Sequence, residues 1–355
     1  VRIVVTGGCG LIGSHTADLL LADGHDVGVV DTMVRTGPCH LPDGAVIWPR
    51  DIRDPTLEAA FQNADVVLHL AAHGGFDPNP VKMVAVNVYG TANVMQAARA
   101  AGVRRVVFAS SQAVYGQGHY ADCSSHGGRE EWGRNQADMR AGKWEVLCQA
   151  CREPHTPLRL SESHLTRARS VYARTKLFAE QLVGNLGHEW GMETFALRYA
   201  LTYGPRQSLR NPYTGIISIF SNRVRNGFPP VVYEDGLQTR DFTYVEDVAR
   251  ANVHAALVLP AKAPPVLNVG TGIATTVLDV ANLVGGDPVL SGEFRPDDAR
   301  HVVTDPTHIN MTGWQATTPV ADGLGKYAEW LAEQPQVADT TERAYARLRA
   351  EGVVV

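Results

Sequence analysis

A short β-branched run, Arg2-Ile3-Val4-Val5-Thr6, leads directly into Gly7-Gly8-Cys9-Gly10-Leu11-Ile12-Gly13 and then into a helical pattern through Leu21 to Gly24. A strand, a glycine turn and a helix in that order constrain most of what can follow. Glycines at 7, 10 and 13 let the backbone turn tightly, admit a pyrophosphate at the helix amino terminus, and let helix and strand pack closely. The same glycines would serve a generic tight turn, so the context decides between the two. His25 to Val30 reads as the next strand and ends in Asp31, where a carboxylate can accept hydrogen bonds from an adenosine ribose and would repel a 2′-phosphate. NAD is therefore expected rather than NADP.

Further strands and helices alternate with this pair. Ala45 to Trp48 is a third strand candidate, and the polar turn Asp51-Ile52-Arg53-Asp54 after it suits either an adenine edge or a helix cap ahead of Pro55. Asp65 to Leu70 is a continuous apolar run fit for a buried parallel strand, and Ala71-Ala72 are small enough for a cofactor to lie against. A helix is expected from about Pro80 to Ala101, carrying Asn87 and Gly90. Val103 to Ala109 is another strand, ending in Ser110-Ser111-Gln112-Ala113-Val114-Tyr115-Gly116. This alternation means an α/β fold with a doubly wound parallel sheet of the Rossmann type, whose ligands bind beyond the carboxyl ends of the strands.

Ser170-Val171-Tyr172-Ala173-Arg174-Thr175-Lys176 opens a run to Leu186 that reads as helix. Four residues make just over one turn, so Tyr172 and Lys176 project from one face. A phenol is a poor base, but an ammonium held beside it favours the phenolate. By itself the pair also fits a solvated helix face. Ser111, at a strand end, is a turn former unless Tyr172 lies close to it.

The connection from Gln117 to Val171 is long for an unadorned loop. Within the segment 117–168 lie Cys123-x-x-His126 and Cys148-x-x-Cys151, spacings that can close a tetrahedron around zinc and order a segment with few apolar residues. The alternative is chance placement with a solvated His126. Four protein ligands would leave no open position, so the expected role of such a zinc is structural.

The chain has 355 residues, a net charge of −5 and five unevenly placed cysteines. That length allows two lobes, taken here as 1–200 for the dinucleotide-binding domain and 201–355 mainly for a smaller lobe, with some segments returning to the first. The acidic balance argues against a nucleic-acid partner, and the cysteine placement argues against a disulfide framework. No apolar run reaches a membrane span and no signal-peptide layout opens the sequence, so the expected compartment is the cytoplasm.

The motifs together resemble the extended short-chain dehydrogenase/reductases that act on nucleotide sugars. Those already quoted are joined by Asn87-Val88-Tyr89-Gly90-Thr91, Leu70-Ala71-Ala72, Leu197-Arg198-Tyr199, Tyr203-Gly204-Pro205-Arg206-Gln207, Arg240-Asp241-Phe242, Asn268-Val269-Gly270-Thr271-Gly272 and Arg295-Pro296, in family order along nearly the whole chain. The resemblance implies a catalytic set of Ser111, Tyr172 and Lys176. It also implies a cofactor site from Gly7, Gly10, Leu11, Ile12, Gly13, Asp31, Asp51, Ile52, Leu70, Ala71, Ala72 and Asn87 as well as Tyr172 and Lys176. For the sugar diphosphate it implies Arg240, Arg295 and Asn211, with Ser111 and Tyr172 at the sugar, and for assembly a homodimer.

Sugar 4,6-dehydratases and uronate decarboxylases that resemble this chain carry an acid just after the catalytic hydroxyl, where Gln112 and Ala113 stand here. Without that acid the expected reaction is oxidation and reduction at C4, a 4-epimerisation of a dTDP- or UDP-hexose. A 4-keto-sugar reductase, a decarboxylase or dehydratase on the same fold, and a non-enzymatic NAD-binding protein are the alternatives. The Cys/His insert, Asn211-Pro212-Tyr213-Thr214-Gly215 and Tyr233 to Phe242 resemble the branch of dTDP-L-rhamnose 4-epimerase-type enzymes. One departure is Ala200-Leu201, where many relatives have an asparagine after Leu-Arg-Tyr-x.

Overall fold

The structure is a computed structural model that describes residues 1–33, 40, 42–74, 79–127, 133–211 and 215–355. Pro212, Tyr213 and Thr214, quoted above, lie outside the described residues. Seven strands build the central sheet: β1 (Arg2–Thr6), β2 (Asp26–Asp31), β3 (Val46–Pro49), β4 (Val66–His69), β5 (Arg105–Ser111), β6 (Glu193–Tyr199) and β7 (Val266–Val269). Their spatial order is β7-β6-β5-β4-β1-β2-β3, and every neighbouring pair is parallel. The order reverses between β1 and β4, which places a crevice at the carboxyl ends of those two strands.

The strands are apolar on both sides because both faces are covered. Ile3, Val5, Leu68, Val107, Leu197 and Leu267 pack to one side, while Val4, Val67, Val106, Phe108 and Ala196 pack to the other. This is the two-residue alternation of a strand, and each such fully buried side chain contributes roughly 1.5–3 kcal/mol. Helices α1 (Leu11–Ala22), α2 (Pro80–Val84), α3 (Thr91–Ala100), α4 (Val171–Trp190) and α5 (Val245–Leu257) include those that cover the sheet. Ser170 caps α4 by accepting from the Ala173 amide at 3.1 Å, and Gly191 ends it at φ +66°.

The helix expected from about Pro80 to Ala101 is present as one unbroken helical run over 80–100, and within it Ala85–Gly90 forms a π-helical segment between α2 and α3. The Asn87 side chain in that segment accepts from the His73 amide at 2.7 Å and donates to the His73 carbonyl at 2.9 Å and to Thr175 Oγ1 at 3.0 Å. These ties hold Asn87 to the loop after β4 and to α4. Such a widened turn is common where a helix serves a site.

Beyond β6 the chain leaves the sheet, returns through α5 and β7, and otherwise builds a smaller assembly around Tyr203, Ile217, Phe242, Tyr244, Tyr327 and Leu331. Arg206 pairs with Asp18 at 2.7 Å and His15 meets the Pro205 carbonyl at 3.1 Å, which fastens the 203–207 motif to α1. The tail is helical over Val320–Glu333 and Thr341–Ala350.

Candidate active site

The turn between β1 and α1 has no room for side chains at its glycines. Gly7 adopts φ +71°, and a Cβ there would lie 2.8 Å from the backbone of Ala71. A Cβ on Gly13 would lie 2.2 Å from the Gly7 carbonyl oxygen, so helix and turn can approach only as glycines. Helix α1 starts at Leu11 behind Gly10, which offers no side-chain cap, and no acid stands in its first turn. The amides of Leu11 and Ile12, ahead of the first intrahelical bond from Ser14 to the Gly10 carbonyl at 3.0 Å, are thus available to an anion.

Asp31 ends β2 with its carboxylate accepting from the Cys9 amide at 3.1 Å and the Met33 amide at 2.9 Å. These bonds hold it beside the glycine turn, where a ribose is expected. We expect Asp31→Ser to lower affinity for NAD and to narrow its advantage over NADP at least tenfold, as read by titration with both reduced cofactors. An unchanged ratio would show that this carboxylate does not select the cofactor.

Asp51 is held by Arg53, whose backbone amide and Nε each donate to Oδ1 at 2.9 Å and whose Nη2 lies 2.7 Å from Oδ2. That side-chain bond keeps the Asp51 carboxyl below its usual range. The cap alternative is seen at Asp54, whose Oδ1 accepts from the Thr56 amide at 2.8 Å and whose carbonyl accepts from the Leu57 amide at 3.1 Å, in the turns that lead from Pro55 into the helix Glu58–Phe61. Ile52 fills the space over Gly90, where a Cβ would lie 2.6 Å from its side chain, and its carbonyl accepts from Asn93 at 2.7 Å.

Across the switch point, Thr6 Oγ1 meets His69 Nδ1 at 2.8 Å, His69 Nε2 meets Thr91 Oγ1 at 3.0 Å, and Thr91 donates to the Asn87 carbonyl at 2.7 Å. Thr91 therefore accepts from Nε2, and Thr6 donates to Nδ1. Burial first, and the Lys176 amine second, push the His69 pKa down to about 3, so the ring is neutral. This relay locks β1, β4 and the π-helical segment together. Leu70, Ala71 and Ala72 follow, and the Ala71 amide lies 3.3 Å from Thr6 Oγ1.

The structure brings Tyr172 to Ser111. The Ser111 hydroxyl is near enough to the phenol to hold its pKa down, and the Tyr172 ring lies against Gly74 in the loop after β4. The phenol thus stands at the carboxyl ends of β4 and β5, in the first turn of α4, whose dipole favours a negative oxygen.

Lys176 behaves differently from the sequence expectation. It is 3% exposed, with Nζ 2.6 Å from the Ala109 carbonyl and 4.8 Å from the centre of the Phe108 ring. Burial lowers its pKa to about 7, and burial also raises that of Tyr172, opposed by the neighbouring Ser111 hydroxyl. The helical spacing was right, but strand β5 turns the amine toward Ala109 rather than toward the phenol alone.

A stability test follows from this depressed pKa. Between about 7, where the folded chain releases the proton, and about 10.4, where the unfolded chain does, stability rises with pH. Lys176→Met is therefore expected to favour the NAD-free fold by roughly 2–3 kcal/mol more at pH 6 than at pH 9. Equal pH dependence of denaturation in parent and variant would contradict the buried amine.

Beneath the site runs a buried network that the motifs did not announce. Ser110 donates to Glu180 at 2.5 Å, and Arg198 reaches Glu180 through Nε at 3.0 Å and Nη2 at 2.6 Å. Arg198 Nη1 also donates to the Tyr115 hydroxyl at 2.9 Å, and Tyr115 donates to Asn268 at 2.8 Å. Leu197-Arg198-Tyr199 and Asn268-Val269-Gly270 are thus linked as a scaffold for β5 and α4. The only sequence sign was a glutamate four residues after Lys176, one turn further on the same helix face.

The residues foreseen for a diphosphate lie in the smaller assembly. Arg240 donates to the carbonyls of Thr239 at 2.9 Å, Arg300 at 3.1 Å and Ala299 at 2.7 Å, and meets Asp298 at 3.3 Å. Arg295 lies over the Tyr233 ring at 5.4 Å. The turn from Arg295 to Asp298, closed at 3.1 Å, joins the two neighbourhoods. Asn211 is half-buried at the edge of the described residues. Asp241, beside Arg240, accepts from the Thr271, Gly272 and Thr304 amides at 2.9, 3.1 and 3.3 Å and so is a structural knot.

A glycine turn under a capless helix, a carboxylate at the end of β2 beside that turn and a Ser-Tyr pair at strand ends are the frame of a dinucleotide-dependent enzyme of the Rossmann class. The sequence also matches the family described as NAD dependent epimerase/dehydratase over residues 3–132 and 150–270. It is 31% identical over 365 residues to a dTDP-L-rhamnose 4-epimerase of Burkholderia thailandensis, covering 94% of this chain and 95% of that protein. A putative UDP-glucose 4-epimerase of Methanocaldococcus jannaschii is 29% identical over 93% of this chain and 98% of its own length. Among solved structures, the UDP-glucose 4-epimerase of Thermotoga maritima with UDP-glucose has a TM-score of 0.76 at 27% identity, covering 94% of this chain and 99% of that one. That of Thermus thermophilus with NAD has a TM-score of 0.75 at 28% identity, covering 94% of this chain and 100% of that one. The chain belongs to the NAD dependent epimerase/dehydratase family.

Proposed function

We propose that this protein is a nucleotide-sugar 4-epimerase with tightly held NAD, acting on a dTDP- or UDP-hexose. The observation that carries the reading is the Ser111-Tyr172 hydroxyl pair above Lys176 at the carboxyl ends of β4 and β5, followed by an amide and a methyl group at Gln112 and Ala113. The Glu180 carboxylate, one layer below, is engaged by Arg198. Proton removal at C5 therefore has no carboxyl group in the place where dehydratases carry one.

The residues fit the cofactor. Gly7, Gly10, Leu11, Ile12 and Gly13 receive the pyrophosphate and Asp31 the ribose, and the turn at Asp51 and Ile52 meets the adenine. Leu70, Ala71 and Ala72 wall the site, with Asn87 bracing the loop that follows them. When bound, NAD accepts hydride from C4 and returns it to the opposite face, so no net redox change results.

The chain's own residues handle the proton and the orientation. Ser111 holds the sugar 4-hydroxyl, and Tyr172 as phenolate takes its proton and later gives it back. The amino terminus of α4 and the nearby amine of Lys176 favour the phenolate, and Lys176 also bonds the nicotinamide ribose. Arg240, Arg295 and Asn211 grip the diphosphate. Incubation with a panel of dTDP- and UDP-hexoses should give a C4 epimer with no build-up of reduced cofactor. Consumption of added reduced cofactor, or release of carbon dioxide, would replace this reading with a reductase or a decarboxylase.

Assembly as a homodimer belongs to the same proposal. Val81, Val84 and Tyr89 on the helical run before α3, and Val171 and Phe178 on α4, are exposed apolar residues on two neighbouring helices. Such a patch suits a symmetric helix–helix contact. Light scattering should give twice the chain mass for the parent and the chain mass for Phe178→Glu; a monomeric parent would refute the dimer. Among the described residues no helix is long and apolar enough to cross a membrane. The compartment proposed is the cytoplasm, where thiols stay reduced.

A further inference from the structure

The insert carries a second constellation that the epimerase reading does not use. Cys123, His126, Cys148 and Cys151 place one ligand atom each within 4.8 Å of one another. Cys123 Sγ lies 3.5 Å from His126 Nδ1 and 3.8 Å from Cys151 Sγ, and Cys148 Sγ lies 3.9 Å from His126 Nδ1. With Zn–S of about 2.3 Å and Zn–N of about 2.0–2.1 Å, a tetrahedron has sulfur–sulfur edges of about 3.8 Å and sulfur–nitrogen edges of about 3.6 Å. The edges from Cys123, 3.5 Å to nitrogen and 3.8 Å to sulfur, match those figures, and the 3.9 Å from Cys148 to the imidazole is slightly longer. They do not match a disulfide, whose sulfurs are about 2.05 Å apart.

The backbone is shaped for the same purpose. The Cys123 carbonyl accepts from the His126 and Gly127 amides at 3.2 and 2.8 Å, closing one turn, and Gly127 takes φ +73°. In the other turn the Cys148 carbonyl accepts from the Arg152 amide at 3.0 Å, and the Cys148 amide donates to the Glu153 carbonyl at 2.8 Å. Arg152 takes φ +66°, a left-handed conformation that a non-glycine residue holds only under constraint. Two turns that each aim ligands at one point are joined by almost no apolar packing, since the local core is Tyr120 with Val146.

We propose that Cys123, His126, Cys148 and Cys151 hold a structural zinc ion in a closed Cys3His site, and that this ion fixes the insert against residues 297–301. The insert meets that segment through Gln117 Nε2 on the Asp297 carbonyl at 2.7 Å and Arg134 Nη2 on the Asp298 carbonyl at 2.8 Å. Glu145 adds Arg300 at 2.8 Å and His301 at 3.0 Å. The carbonyls of Ala299 and Arg300 are the ones that hold the Arg240 guanidinium. The ion therefore acts on the smaller lobe through packed backbone, and four protein ligands leave no place for substrate. The metal assignment is independent of the reaction assigned to Tyr172.

Elemental analysis of protein purified under reducing conditions without chelator should find one zinc per chain. Exchange with cobalt should give the visible absorption of a tetrahedral thiolate site. Cys151→Ser, at an exposed ligand, should bring zinc to background while leaving NAD bound. Should that variant fail to fold, zinc content and the cobalt spectrum of the parent decide alone. Removing the ion with chelator should speed proteolysis within 117–168, while NAD stays bound. Background zinc with no tetrahedral cobalt spectrum, or a Cys123–Cys151 disulfide found by mass spectrometry, would overturn the site. Proteolysis unchanged by chelation would overturn the ordering role.

Discussion

The Tyr172→Phe protein is expected to fold, keep its NAD and lose turnover by up to roughly 10⁴-fold. The substitution removes one oxygen from a residue whose ring contacts, against Gly74 and within α4, stay in place. What disappears is the hydroxyl beside Ser111, the group to which uptake of the 4-hydroxyl proton is assigned here. Cofactor content is read from the absorbance of the isolated protein and turnover from product formation. A variant that keeps more than about a tenth of parent turnover would remove Tyr172 from the role assigned to it.

Glu180→Ala is expected to produce the largest loss of stability, about 3–5 kcal/mol. Arg198 and Glu180 have side chains only 6% and 5% exposed, so deleting the carboxylate leaves a guanidinium buried without its counter-charge. Tyr115 and Ser110 would lose a shared anchor at the same time. The Glu180→Met, Arg198→Met double variant should recover much of the loss, because replacing both partners removes the charge as well as its counter-ion. Urea denaturation measures both. A single variant within about 1 kcal/mol of the parent would show that the pair is solvated rather than buried.

How much of this was legible in the sequence depended on the range of the interactions involved. The β1 turn and α1 were legible because the reason is local: Gly7 needs a left-handed φ and Gly13 sits against the Gly7 carbonyl. The strands β1, β2, β4 and β5 announced themselves as apolar runs, since each is covered on both faces, and the edge strand β3 as a shorter run. Strand β7 did not, because four residues carry too little pattern and its partner, β6, lies far back in the chain. The π-helical segment was likewise hidden. It answers to the ties of Asn87 with His73 and Thr175, which only the fold brings near.

The site divides in the same way. The spacing of Tyr172 and Lys176 gave one helix face, but it could not show that Lys176 would bury its amine against Ala109 and approach neutrality. Motif position pointed to Arg240, but not to the carbonyls of residues 299 and 300 that hold its guanidinium. The paired cysteines were readable as spacing. That their sulfurs and the imidazole converge was decided by how Cys123 and Cys148 each fold a turn.

The account turns most directly on what happens at carbon when a dTDP- or UDP-hexose is converted in deuterium oxide. If hydride leaves C4 and returns to it within the closed site, proton NMR of the product shows inversion at C4 and no deuterium bound to C4 or C5. Deuterium at C5, or loss of a C6 hydroxyl that the substrate carried, would mean that proton abstraction occurs beside the ketone, and the central claim would fail.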